Sequence, residues 1–405
     1  MTTRKQGIKA GVQKFFGINA SMLSMLFMVI VLGLGEKMGE RFLPVYIIAL
    51  GGSAYAVGFL NAMDNFLSAI YSYIGGYFSD LLGYKRALKL YTIISLVGYA
   101  IIILFPVWQA VIVGAIFFIS WTALSLPAIL SMVSATVKKE KQTMGVSLHS
   151  LVKRVPMSLG PIMGGVLITT FGITVGSRIA FGIAFILGIF AIWFIERYIE
   201  EQKTEKSEPT NAIKTFNSMS KPLKTLLLSD MFIRFAEQLP YSFVVVWIME
   251  VNNLSAVSFS IFTLIEMVTA MLIYIPVALL NEKTSSKWIV TMTFIFFTIF
   301  PTVLMFSKTF WMLCFAFIIR GLKEFGEPTR KALIVKLAPE GSKASTFGTY
   351  YLFRDVVVAV VSLASAWLWN ISPEVNFIVA SSCGLVGTLI FVIYGKDEQH
   401  ERQIS

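Results

Sequence analysis

Glu200-Glu201-Gln202-Lys203-Thr204-Glu205-Lys206-Ser207-Glu208 opens a polar stretch that runs to about Lys221 and divides the chain into two strings of apolar runs. Crossing about 30 Å of hydrocarbon takes about 20 predominantly apolar residues. Before the polar stretch, runs of that kind fall near 19–49, 54–78, 88–105, 107–136, 143–170 and 174–198. After it they fall near 223–250, 254–280, 287–307, 309–336, 343–370 and 373–394. The pattern reads as an all-α integral membrane protein of twelve transmembrane helices. Residues 1–198 form one six-helix half, 199–222 a cytoplasmic middle loop, and 223–405 a second six-helix half.

Composition agrees with this. Hydrophobic residues make up 56% of the 405 and charged residues only 14%, against about 25% charged in a soluble domain. The net charge of +11 is assigned to basic cytoplasmic loops rather than to nucleic-acid binding. Arg4, Lys5, Lys9 and Lys14 precede the first run, Lys85, Arg86 and Lys89 follow the second, and Lys138, Lys139 and Lys141 follow the fourth. The opposite loops, such as Gly51-Gly52-Ser53 and Val251-Asn252-Asn253, are nearly uncharged. Positive-inside topology therefore places both termini of a multi-pass chain in the cytoplasm, with the inner membrane as its location. Cys314 and Cys383 both sit in apolar runs and read as packing residues, with no disulfide framework, metal site or cofactor implied. The polar start, Met1 to Lys14, leads into a run too long for a signal-peptide core, so no cleavable leader is expected.

The halves also resemble each other. Ala56-Val57-Gly58-Phe59 matches Ala256-Val257-Ser258-Phe259, and Arg154 matches Arg354, at an offset of 200. Leu43-Pro44 matches Leu239-Pro240 at an offset of 196. Ordered matches of this kind indicate duplication, and duplicated six-helix halves place a solute site at their interface near the bilayer midplane.

Gly76-Tyr77-Phe78-Ser79-Asp80-Leu81-Leu82-Gly83-Tyr84-Lys85-Arg86 resembles the loop between helices 2 and 3 of the major facilitator superfamily, with Leu81 in place of the usual arginine. The resemblance assigns Gly76, Asp80, Gly83, Lys85 and Arg86 to a conformational latch, in which a carboxylate is bonded in one state and released in another. Gly160-Pro161-Ile162-Met163-Gly164-Gly165 in the fifth run resembles the core of the antiporter motif in drug-efflux members of the same superfamily. Generic close helix packing at Gly160, Pro161, Gly164 and Gly165 is the competing explanation. Over almost the whole chain the resemblance implies a secondary transporter driven by an ion gradient, most often of protons, and working as a monomer.

An ionisable side chain at membrane depth costs at least about 2.5–3.5 kcal/mol and marks a functional candidate. The first run holds Glu36, Lys37, Glu40 and Arg41, in a segment resembling the E-x-x-E-R-F element of proton-coupled oligopeptide transporters, with one residue of extra spacing. A self-neutralised structural knot is the alternative. Asp64 falls in the second run and Glu266 in the eighth. Asp230, Arg234 and Glu237 share a helical stripe in the seventh run, as do Arg320, Glu324, Glu327 and Lys331 in the tenth. Arg154, Arg354 and Asp355 complete the set expected along a solute and proton pathway. Trp108, Trp247, Trp288, Trp311 and Trp369 lie near run ends and read as interface anchors.

The function expected is proton-coupled efflux of a small organic solute by alternating access. Uptake or facilitated diffusion of a small metabolite or peptide-like solute is the alternative. A transport-inactive sensor or scaffold is the rival from another class. A membrane enzyme is disfavoured because His149 is the one histidine outside the C-terminal tail.

Overall fold

The computed structural model describes residues 20–119, 121, 142–199, 212–281, 284–339 and 343–396. Among them the regular structure is entirely helical, as lipid demands of a spanning chain whose backbone groups must be satisfied within each segment. Each of the twelve apolar runs holds at least one helix. In the first half these are α1 (Ala20–Glu40), α2 (Leu43–Ala49), α3 (Ala54–Leu82), α4 (Tyr84–Leu104), α5 (Trp108–Phe118), α6 (Gln142–Phe171) and α7 (Ile173–Tyr198). A short α8 (Ala212–Ser218) follows in the middle stretch. The second half has α9 (Lys221–Tyr241), α10 (Phe243–Val246), a π-helical turn (Trp247–Val251), α11 (Ala256–Asn281), α12 (Ser286–Phe306), α13 (Phe310–Leu322), α14 (Glu327–Leu337), α15 (Lys343–Ile371) and α16 (Pro373–Tyr394). Among the described residues six stretches, Lys85–Leu104, Ile173–Tyr198, Ala256–Ile273, Ser286–Phe306, Thr346–Ile371 and Pro373–Tyr394, are long and apolar enough to cross a membrane on those criteria alone.

Local sequence sets the helix boundaries. Ser220, Ser285, Thr309 and Ser372 each cap a helix start, their side-chain oxygens accepting from Leu223, Trp288, Met312 and Val375 N–H groups. Three runs expected as single helices are broken; in the seventh, α9 gives way at Ser242 to α10 and the π-helical turn. In the first, α1 stops at Glu40, Arg41 and Phe42 form a turn, and Pro44 sits in the first turn of α2, where its missing N–H costs nothing. In the tenth, residues 323–326 form a turn before α14, which carries Pro328 in its first turn. Gly326 allows that turn to press on α12: a Cβ there would stand 2.7 Å from the Ile289 carbonyl oxygen, and its N–H donates to Thr293 Oγ1 at 2.6 Å.

The chain forms two compact units. Residues 1–50 with 70–207 make the first, and residues 51–69 with 208–405 the second. In the first, α1 packs on α6 and α7, and α4 on α5 and α7, around Met25, Met28, Leu32, Leu88, Tyr91, Trp121 and Ile195. In the second, α9 packs on α15 and α16, α12 on α13 and α16, and α11 on α13. Small residues permit these approaches: Ser229 donates to the Gly387 carbonyl at 2.7 Å, and a Cβ on Gly387 would lie 2.8 Å from the Ser229 carbonyl oxygen. The first half of α3 belongs to this unit through Asn61 and Asn65, whose amides donate to the Gln238 backbone carbonyl at 2.8 Å and side chain at 3.2 Å.

Large apolar side chains such as Trp311, Phe315, Ile186 and Ile393 are exposed, which suits a surface bathed in lipid rather than water. The aromatic anchors divide. Trp288 and Trp311 are exposed at the starts of α12 and α13. Trp247 is fully buried, its ring centroid 5.2 Å from that of Phe377, and Trp369 stacks on Phe243 at 4.5 Å. Those two are packing residues, because Phe377 of α16 packs edge-on against both rings. Cys314 and Cys383 are free and half-buried.

Candidate functional site

The second unit gathers ten ionisable side chains into one chain of strictly alternating sign. Asp230, Arg234 and Glu237 project from one stripe of α9 because intervals of four and three residues return to the same helix face. At one end, Arg354 of α15 holds Asp355 at 2.7 Å and reaches Asp230 at 3.5 Å. Asp230 is 1% exposed; it pairs closely with Arg330 of α14 and accepts from the Tyr350 hydroxyl at 3.1 Å. Arg330 holds Glu327 at 2.8 Å, and Glu327 faces Arg234 at 3.6 Å. Arg234 pairs closely with Glu237, which accepts from Lys323 at 2.8 Å. Lys323 reaches Glu266 of α11 at 3.4 Å, and Arg320 closes the series on Glu266 at 3.3 Å.

Aromatic rings flank the cations. Phe297 lies 5.6 Å from Arg234 and 5.7 Å from Lys323, Phe300 and Phe317 lie 5.3 and 5.4 Å from Arg320, and Tyr351 lies 4.2 Å from Arg354. Such faces attract a cation that has left water. A lone charge buried here would be costly; alternation gives each a neighbour of opposite sign, and deleting one strands its partners.

The structure brings together Arg234, Glu237, Glu266, Arg320, Glu327, Arg354 and Asp355. Asp230 of the α9 stripe joins them, and two further members, Lys323 and Arg330, do not stand on the stripes read from sequence; nor does Tyr350, which donates to Asp230. The stripe Arg320, Glu324, Glu327, Lys331 assumes one continuous helix. The turn at 323–326 resets the register, so Lys323 and Arg330 enter the chain while Glu324 is half-buried and Lys331 exposed. The signal was present in Gly326-Glu327-Pro328, a break sequence.

The first unit carries a smaller cluster. Lys37 lies 2.9 Å from Glu36 and also pairs closely with Glu40, at the last turn of α1. Arg41 sits in the turn beyond it, off the helix. Gly160 and Gly164 of α6 pack directly on this turn: a Cβ on Gly160 would lie 2.7 Å from Lys37 Cβ, and one on Gly164 would overlap the Met38 carbonyl. Pro161 and Gly165, beside them, are buried. Arg154 is half-buried in α6, and its carbonyl accepts from Ser158 at 3.0 Å. Asp64, in the part of α3 that belongs to the second unit, is half-buried and accepts from Ser68 at 3.3 Å.

Of the latch residues, Gly83 separates α3 from α4 at φ 83°, a backbone that side chains disfavour. Lys85 donates to the Glu196 carbonyl of α7 at 2.8 Å, with the Glu196 carboxylate 3.6 Å away, and Arg86 is exposed. The side chains at Gly76 and Asp80 lie outside the described residues, as does that of His149.

Repeated spanning helices, with a buried alternating series of charges in the second unit, define a polytopic membrane transport protein. The chain belongs to the Major Facilitator Superfamily, whose model matches residues 16–236 and again 226–405. It is therefore a two-repeat, all-helical membrane transporter of a family that carries small molecules and is not enzymatic. An uncharacterized MFS-type transporter, MJ1317 of Methanocaldococcus jannaschii, is 22% identical over 374 residues, covering 89% of this chain and 91% of that one. Among solved structures, a variant of the nucleoside transporter NupG superposes with a TM-score of 0.80 at 12% identity, covering 93% of this chain and 100% of that one. The peptide transporter POT in complex with sulfate gives 0.74 at 14% identity and 94% of each chain. The human organic anion transporter MFSD10 gives 0.64 at 12% identity, 92% of this chain and 99% of that one. At these identities the likeness is one of fold.

Proposed function

We propose that the protein is a secondary active transporter, monomeric and proton-coupled, that exports a small organic solute across the inner membrane by alternating access, with both termini in the cytoplasm. The observation that carries the reading is the ten-residue ion chain of the second unit. It ties α9, α11, α14, α15 and the 323–326 turn through carboxylates and cations, so gain or loss of one proton re-pairs several helices at once. Export is supported by the Gly160–Gly165 segment, which resembles the drug-efflux motif and here seats α6 against the charged turn of α1. Uptake of a peptide-like solute is the second reading. It is supported by Glu36-Lys37-Met38-Gly39-Glu40-Arg41-Phe42 and by the fold likeness to the peptide transporter POT.

Purified protein in liposomes, with and without an imposed pH gradient, tests both. Export predicts solute movement against the proton flux, uptake movement with it, and insensitivity to the gradient removes proton coupling altogether. Gln substitution, one at a time, at Glu36, Glu40, Glu237, Glu266 and Glu324 then separates roles. A coupling carboxylate loses uphill transport and keeps solute exchange at equal pH. If every variant loses both in proportion to its yield, these charges hold the fold and do not couple.

A further inference from the structure

The ion chain is balanced in charge, five carboxylates against five cations, but not in hydrogen bonds. Three buried polar atoms in and against it have no hydrogen-bond partner: Nε of Arg234, Nε of Arg330 and the hydroxyl oxygen of Tyr351. They belong to one connected set. Arg234 and Arg330 both address Glu327, Arg330 and Arg354 share Asp230, and the Tyr351 ring lies 4.2 Å from the Arg354 guanidinium. All three atoms carry a hydrogen to donate. A buried donor without an acceptor costs free energy that an arriving acceptor returns. Arg330 is fully buried, whereas Arg234 and Asp355 keep 19% and 27% of their side chains exposed, so the set has an open edge.

We propose that this edge, formed by Arg234 and Tyr351 with Arg330 behind Glu327, anchors the transported solute and takes a carboxylate. The inference rests on the transporter reading above and names the chemical class of its cargo. An ionised carboxylate brings acceptors only, whereas an amide, alcohol or amine brings further donors to a place that already has a surplus. Bonds from guanidinium to carboxylate are charge-assisted, about twice as strong as neutral ones, and the planar guanidinium fork matches the carboxylate plane. Phosphate shares the acceptor chemistry and is separated from a carboxylate by experiment.

The test uses the full-length protein in detergent. Thermal unfolding is followed with acetate, benzoate and succinate, with their neutral amides, and with inorganic phosphate. At least one carboxylate should raise the unfolding temperature while its amide does not. Tyr351→Phe keeps the ring beside Arg354 and removes one orphan donor. It should weaken that carboxylate about tenfold or more and leave the ligand-free protein at least as stable as before. Arg234→Lys keeps the charge and removes Nε, and should weaken the same carboxylate independently of Tyr351. Equal stabilisation by amide and acid, stabilisation by phosphate alone, no shift with any probe, or undiminished binding in both variants overturns the assignment. Proton-driven transport of a neutral solute without carboxylate binding would sink this inference and leave the transporter reading standing. Carboxylate binding without pH-linked transport would do the reverse, keeping the subsite and removing the coupling.

Discussion

Lys323 Nζ lies 2.8 Å from Glu237 Oε1, joining the turn between α13 and α14 to the stripe of α9 across 86 positions of sequence. Each side chain is 11% exposed, so the pair is largely out of solvent. Lys323→Met should cost about 3–5 kcal/mol of stability, because Glu237 and Glu266 then lose a shared cation. Adding Glu237→Gln to it should restore part of that loss. Thermal unfolding of the two singles and the double decides: simple additivity would mean the two residues are not coupled.

Gly160 and Gly182 make a matched pair of helical glycines. A Cβ on Gly160 would meet Lys37 Cβ at 2.7 Å and the Lys37 carbonyl carbon at 3.1 Å, whereas one on Gly182 would meet nothing within 4 Å. Gly160→Ala should therefore cost about 1–3 kcal/mol through forced separation of α6 and α1. Gly182→Ala should be neutral or stabilising by up to about 1 kcal/mol. Folded yield and unfolding temperature report both; equal effects would remove the close-packing role of Gly160.

Gly83 holds φ 83° at the junction of α3 and α4. Gly83→Ala should strain that junction by about 1–3 kcal/mol and lower expression modestly. Asp80→Asn, at the latch position read from sequence, should leave expression and solute binding largely intact and slow the interconversion of states. Stopped-flow or exchange rates equal to wild type would remove Asp80 from the mechanism.

Cysteines placed at positions 205 and 341 of the sequence should react with an impermeant reagent only when the cytoplasmic face is open to it. Labelling of intact cells from outside would reverse the topology drawn from the basic loops.

Composition and periodicity were enough for the class of fold: apolar runs of membrane length, a polar divider near residues 200–221 and basic residues concentrated in alternate loops are local properties, and the bilayer imposes helix on each run. The stripe Asp230, Arg234, Glu237 was legible for the same reason, since it lies on one unbroken helix. What sequence periodicity could not carry was any relationship across a break. Gly326 yields to the close approach of α12, the helix restarts at Glu327, and the restart exchanges Glu324 and Lys331 for Lys323 and Arg330 in the buried series. The burial of Trp247 and the partnership of Asp230 with Arg330, Arg354 and Tyr350 were likewise invisible, because both come from distant helices packing on α9 and on the turn that follows it. Which charges exist was determined by the chain itself. Which charge faces which is decided by helix packing, where a shift of one residue turns a side chain by about 100° about its axis.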